Sequence, residues 1–162
     1  MSREQPAGVN GKGARHTVDL PYLRSSVVPQ SVILVADDEA LIRNLVTLLL
    51  QQVGYFVLSA ADGREGLELS RKYPGKIDLL ITDVNMPRMN GTDLYAHLME
   101  ERPGIKVLVM SGADISEILR KNANMPFLPK PFDGGTLKAA VRKILAAPIQ
   151  PAVHLQPLAR SK

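Results

Sequence analysis

The chain has 162 residues, 45% of them apolar, and 20 Lys plus Arg against 16 Asp plus Glu, a formal net charge of +4. That length suits one domain, and that apolar content fills a core and excludes a disordered chain. No cysteine is present, which excludes disulfides, thiolate metal sites and a cysteine nucleophile. No apolar run approaches the roughly 18–20 residues that span a bilayer.

In chain order, residues 1–30 come first and read as a flexible tail with a net charge of +2. They carry Pro6, Gly8, Gly11 and Gly13 and no apolar period. Val18, Leu20, Tyr22, Leu23, Val27 and Val28 are the exception and could dock weakly on the domain or on a partner. No apolar segment follows Met-Ser-Arg-Glu-Gln-Pro, so the start is not read as a signal peptide and a cytoplasmic protein is expected.

Residues 31–147 alternate strand and helix. Ser31 to Ala36 is a continuous apolar run, as expected of a strand buried on both faces. Leu41, Ile42, Leu45, Val46, Leu48, Leu49 and Val53 recur at helical spacing, and Gly54 closes that helix. Tyr55 to Ala60 is a second strand. Asp62 is placed to cap a helix carrying Leu67 and Leu69, which ends before Pro74-Gly75. Ile77 to Thr82 is a third strand, and a loop with Pro87 and Gly91 leads to a helix with Leu94, Tyr95 and Leu98. Lys106 to Met110 is a fourth strand. A short helix through Ile115, Ile118 and Leu119 follows, then Phe127-Leu128 as a brief fifth strand. Leu137, Ala140, Val141, Ile144 and Leu145 form the last amphipathic helix. Residues 148–162 carry Pro148, Pro151 and Pro157 and read as a second flexible tail.

Such alternation means an α/β fold with a parallel sheet, because parallel strands need crossover connections. Ligands of such folds bind beyond the carboxyl ends of the strands. Asp37, Asp38 and Glu39 follow strand one, Asp83 strand three, Ser111 strand four and Lys130 strand five. Each has an ordinary reading alone: an Asp or Ser as a helix cap, a Lys as a solvated charge. Together they gather carboxylates that repel unless a cation joins them, and Mg²⁺ fits oxygen donors. A lysine beside them suggests an anion, above all a phosphoryl group.

The run Asp83-Val-Asn-Met-Pro-Arg-Met-Asn-Gly91 resembles the phosphoacceptor loop of response regulator receiver domains of two-component signalling. Asp37-Asp38 resembles their acidic pair, Ser111 their Ser/Thr position and Lys130-Pro131-Phe132 their Lys-Pro motif. The resemblance covers residues 31–146. It implies a flavodoxin-like, doubly wound sheet of strand order 2-1-3-4-5 with helices on both faces. It further implies that Asp83 is the phosphoacceptor. Asp38, Asp37, Asp83 and the carbonyl of Asn85 would hold Mg²⁺, and Lys130 would neutralise the phosphoryl oxygens. The proline after Lys130 often follows a cis bond in this family. Ser111 would bond the phosphoryl group, with the small Gly112 keeping access open, and Phe127 would be the switch aromatic. The stretch between Ser111 and Lys130 is shorter than in many receivers and includes Asn122-Ala-Asn-Met-Pro126, so its helix is expected to be abbreviated. The donor would be a histidine kinase or histidine phosphotransfer protein, and the output a contact with another protein.

The chain is thus expected to be a signalling receiver, stand-alone or part of a hybrid kinase, that is not an enzyme. The alternative is a haloacid-dehalogenase-type phosphohydrolase, which carries a second Asp two residues after its nucleophile; here that position is Asn85. Nucleic-acid binding through the ends is disfavoured because their basic residues are sparse and lack interleaved aromatics. His16, His97 and His154 show no ligand spacing, and His97 is expected at the surface. Arg71, Lys72 and Lys76 read as solvated charge, and Met86 and Met89 as packing within the loop.

Overall fold

The computed structural model describes residues 31–112 and 125–148. Expectations for the two tails, for the helix through Ile115, Ile118 and Leu119, and for Asn122-Ala-Asn lie outside the described residues. The elements are β1 (Val32–Ala36), α1 (Ala40–Gln51), β2 (Phe56–Ala60), α2 (Gly63–Lys72), β3 (Leu79–Asp83), α3 (Gly91–Glu101), β4 (Lys106–Ser111), β5 (Phe127–Pro129) and α4 (Gly134–Ala146).

The five strands pair in parallel in the order β2-β1-β3-β4-β5, as expected. Alternation along each strand divides the core. Ile33, Val35, Leu79, Ile81, Leu108 and Met110 pack with Val46 and Leu50 of α1 and Leu137 and Val141 of α4. Leu34, Leu80, Val107 and Val109 pack on the opposite face with Leu67 of α2 and Leu94 and Leu98 of α3. Helices on both faces explain why the central strands read as unbroken apolar runs.

Two details differ from the sequence reading and a third adds to it. Asp83 and Ser111 are the last residues of β3 and β4 rather than the residues after them. The apolar positions of α1 wrap more than one face: Val46 and Leu50 are buried, while Leu41 is 85% exposed and Leu45, Leu48 and Val53 are exposed too. Helical spacing finds such a helix but does not say which side of a wide stripe meets the sheet. Arg71 and Lys76 are solvated as expected, 56% and 70% exposed, but each also carries an ion pair that the sequence does not show: Arg71 bonds Glu101 of α3 through Nε at 3.0 Å, and Lys76 pairs with Asp78 at 2.7 Å.

Local signals held elsewhere. Asp62 caps α2, accepting from the amides of Arg64 at 2.8 Å and Glu65 at 3.0 Å. Gly54 closes the turn after α1 with φ of 91°, a conformation that favours glycine. Met86 is buried, Met89 packs against the α2–α3 core, and His97 is exposed.

Candidate functional site

The strand register brings the site together. Ala36 stands opposite Thr82, Asp83 opposite Met110, and Ser111 opposite Pro129. Asp37, Asp83 and Lys130 therefore emerge side by side at the carboxyl edge.

Asp37 is fully buried and held on every side. Its amide donates to the carbonyl of Ala60 at 3.2 Å, extending the sheet by one bond. Its own carbonyl accepts from the Arg43 guanidinium at 2.7 Å, and its Oδ1 accepts from the Glu39 amide at 2.9 Å. Asp83 is 7% exposed, and its Oδ2 accepts from the Asn85 amide at 2.6 Å. Between them stands the Lys130 ammonium, 2.9 Å from Asp37 Oδ2 and 2.8 Å from Asp83 Oδ1. A third carboxylate, Glu39 Oε1, lies 3.1 Å from the same nitrogen.

The loop after Asp83 is folded tightly enough to fix that carboxylate. Gly91 donates its amide to the Val84 carbonyl at 3.1 Å. A Cβ on Gly91 would stand 2.1 Å from the carbonyl oxygen of Asp83, so no other residue fits there without moving the loop. Arg88 takes a positive φ of 65° and its guanidinium pairs with the buried Asp62. The Gly63 amide reaches the Met89 carbonyl at 3.2 Å, fastening the loop to the start of α2. Asn90 caps α3 by accepting from the Asp93 amide at 2.8 Å.

Burial raises the pKa of Asp37, and the neighbouring charge of Asp83 adds to the rise, while the bond from Lys130 opposes it. For Lys130 burial works to lower the pKa, but hydrogen bonds to Asp83, Asp37 and Glu39 outweigh it and hold the ammonium well above the ordinary lysine value.

Not every expected residue joins this centre. Asp38 is exposed, and Lys130 takes Glu39 as its third carboxylate instead. Asn85 is exposed and touches Asp83 through its amide. Ser111 is buried at the end of β4, and its carbonyl accepts the Lys130 amide at 2.9 Å. The Lys130–Pro131 bond is cis. A Cβ on Gly112 would meet Lys130 Cβ at 3.7 Å, an ordinary contact, so glycine is not required there by the space for one methyl group. Phe127 opens β5, half-buried against the α2–α3 core rather than at the carboxylates. Among the described residues no group of three His, Cys, Asp or Glu side chains is gathered to hold a metal ion. The donor chemistry nonetheless suits a hard cation: two carboxylates face one another at low exposure, and the pKa of Asp37 is raised by burial and then by the charge of Asp83.

The sequence places Glu39 among the strand-end acids but assigns it no partner, and it does not single out Arg43. The unbroken Asp37-Asp38-Glu39 run was the signal for Glu39; nothing local marks Arg43.

A family model described as the response regulator receiver domain matches residues 33–142. The chain belongs to this family. Its receiver domain is 37% identical over 119 residues to the transcriptional regulatory protein PdtaR of Mycobacterium tuberculosis, covering 72% of this chain and 57% of that protein. It is 35% identical over 118 residues to the sensor kinase CckA of Brucella abortus, covering 71% of this chain and 12% of that protein. Among solved structures it superposes on the chemotaxis protein CheY4 of Vibrio cholerae with a TM-score of 0.64 and 30% identity, covering 71% of this chain and 98% of that one. Receiver domains are signalling modules, and the sheet order is that of the CheY-like fold.

Proposed function

We propose that this receiver takes a phosphoryl group on Asp83 from a histidine kinase or histidine phosphotransfer protein and thereby switches a protein-interaction surface. One observation carries the reading: a single ammonium, Lys130, bridges the Asp37 and Asp83 carboxylates at 2.9 and 2.8 Å at the carboxyl edge of the sheet.

Asp83 is the nucleophile. One of its oxygens forms the bond to phosphorus as the donor's histidine nitrogen leaves with the bonding pair. The Asn85 amide holds Oδ2 and orients the carboxylate. Lys130 stays protonated and faces the phosphoryl oxygens as charge shifts among them. Asp37, Asp38, Asp83 and the Asn85 carbonyl are the oxygen donors that would hold Mg²⁺. When bound, that ion supplies a second positive charge to the phosphoryl oxygens.

The Ser111 hydroxyl then bonds the new phosphoryl group, and Phe127, at the other end of β5 from Lys130, follows it inward. The surface formed by β5 and α4 is the one that changes. In this reading residues 31–147 are the receiver domain. It catalyses no reaction beyond its own phosphorylation and dephosphorylation, and it works in the cytoplasm. Among the described residues no helix is long and apolar enough to cross a membrane.

Acetyl phosphate with Mg²⁺ tests the reading. Intact mass should rise by one phosphoryl group in the wild type and not in Asp83→Asn. An unmodified wild-type chain, with acetyl phosphate and with a panel of phosphorylated histidine kinases, would overturn it.

A further inference from the structure

An ammonium has three N–H donors. Lys130 has three carboxylates around it: it donates to Asp37 at 2.9 Å and Glu39 at 3.1 Å and pairs with Asp83 at 2.8 Å. The three partners are not equivalent. Asp37 is fully buried, and its other oxygen and both its backbone groups are already engaged. Taking Lys130 away would leave a buried, unpaired charge, a costly state. Asp83 is the reacting group itself. The Glu39 side chain is 63% exposed and can return to water at little cost.

A second observation concerns position. Glu39 is the N-cap residue of α1, where a side chain ordinarily accepts from the first amides of its own helix. The Glu39 side chain makes no such cap bond. It lies along Lys130 instead, across 91 residues of sequence.

We propose that Glu39 is the exchangeable partner of Lys130: it occupies the third donor while Asp83 is unmodified and yields it when a phosphoryl group arrives. The inference rests on Asp83 being the phosphoacceptor. Glu39 is a positioning residue and forms no bond to phosphorus. Its contact stabilises the unmodified state and is absent once Lys130 faces phosphoryl oxygens. Removing it therefore speeds phosphoryl acquisition and leaves the rate of phosphoryl loss unchanged.

Two variants separate contact from charge. Glu39→Gln removes the charge; Glu39→Asp keeps it but is one methylene too short to hold the contact. With acetyl phosphate and Mg²⁺, both should acquire phosphate about two- to fivefold faster than wild type, the effect of one partly exposed ion pair. Phosphoryl loss, followed after the donor is removed, should match wild type. Independently of any phosphorylation, the Lys130 ammonium signal in ¹⁵N NMR should shift and exchange faster with water in both variants.

A gain in Glu39→Gln but not in Glu39→Asp would make Glu39 a source of repulsion only and overturn the exchange. Unchanged acquisition, or an unchanged Lys130 signal, would overturn it too, as would an equal change in acquisition and loss. If wild type takes up phosphate normally while the variants do not differ from it, this inference fails and the assignment of Asp83 stands. If Asp83 is never modified in wild type, that assignment fails and the exchange falls with it.

Discussion

The two edges of the sheet use basic side chains in opposite ways. At the amino edge, Lys106 directs its ammonium at main-chain carbonyls at the end of α4: Ile144 at 2.9 Å, Leu145 at 2.8 Å and Ala147 at 2.5 Å. Arg102 does the same after α2, bonding the carbonyls of Ser70, Tyr73 and Gly75 and the Ser70 hydroxyl. These partners are uncharged, and all but the Ser70 hydroxyl are main-chain carbonyls in or just past the last turn of a helix, where acceptors outnumber donors. At the carboxyl edge, Lys130 faces three carboxylates and no carbonyl cap. A cation on carbonyls fastens the frame. A cation on carboxylates remains responsive, because its partners can change charge or acquire a new group. The same residue type serves structure at one end of the strands and, in the function proposed above, chemistry at the other.

The division can be broken most severely at Lys130. Lys130→Met should lower the rate of Asp83 phosphorylation by about 10²-fold or more, as expected when a charge aimed at the phosphoryl oxygens is removed. A time course of intact mass with acetyl phosphate measures this. Arg102→Ala should do the reverse, costing about 2–3 kcal/mol of stability in urea unfolding while phosphorylation of the folded protein proceeds at the wild-type rate. A phosphorylation defect matching that of Lys130→Met would abolish the distinction between the edges.

The alkaline limb of stability sharpens it further. The pKa of Lys130 is raised above the ordinary 10.5 by its carboxylates despite its burial. In the window above 10.5 the folded chain therefore keeps a proton that the unfolded chain releases. This stabilisation is fully present below that value and is lost as pH rises through the folded pKa. Wild type should lose stability more steeply above pH 10.5 than Lys130→Met does, read by denaturant midpoints at successive pH values. The smallest effect is expected at Arg71. It is 56% exposed, so Arg71→Ala should leave the thermal midpoint nearly unchanged despite its two-pronged grip on Glu101.

What the sequence disclosed follows the same boundary. Buried strands announce themselves as apolar runs, and Asp37, Asp83 and Lys130 are conspicuous because each interrupts such a run at its carboxyl end. The cap Asp62 is a local signal, acting within three residues. Arg102 and Lys106 give no such signal because their partners lie 27 to 41 residues away and, the Ser70 hydroxyl apart, are backbone atoms, which no side-chain spacing encodes. Glu39 was visible as an acid but not as a partner of Lys130, since that pairing depends on β1 and β5 flanking the site together. The faces of α1 were confused because leucines continue around the helix onto a side that the sheet does not reach.

The Lys130 amide donates to the carbonyl of Ser111, so the lysine inherits its place from the pairing of β5, a strand of only three residues. Strand side chains alternate between faces, and a slip of one residue there would carry Lys130 to the opposite side of the sheet. Under the proposed role of Lys130, phosphoryl uptake is thus also a proofreading signal for chain alignment. A molecule with every helix formed but β5 out of step would look folded by circular dichroism and be chemically silent.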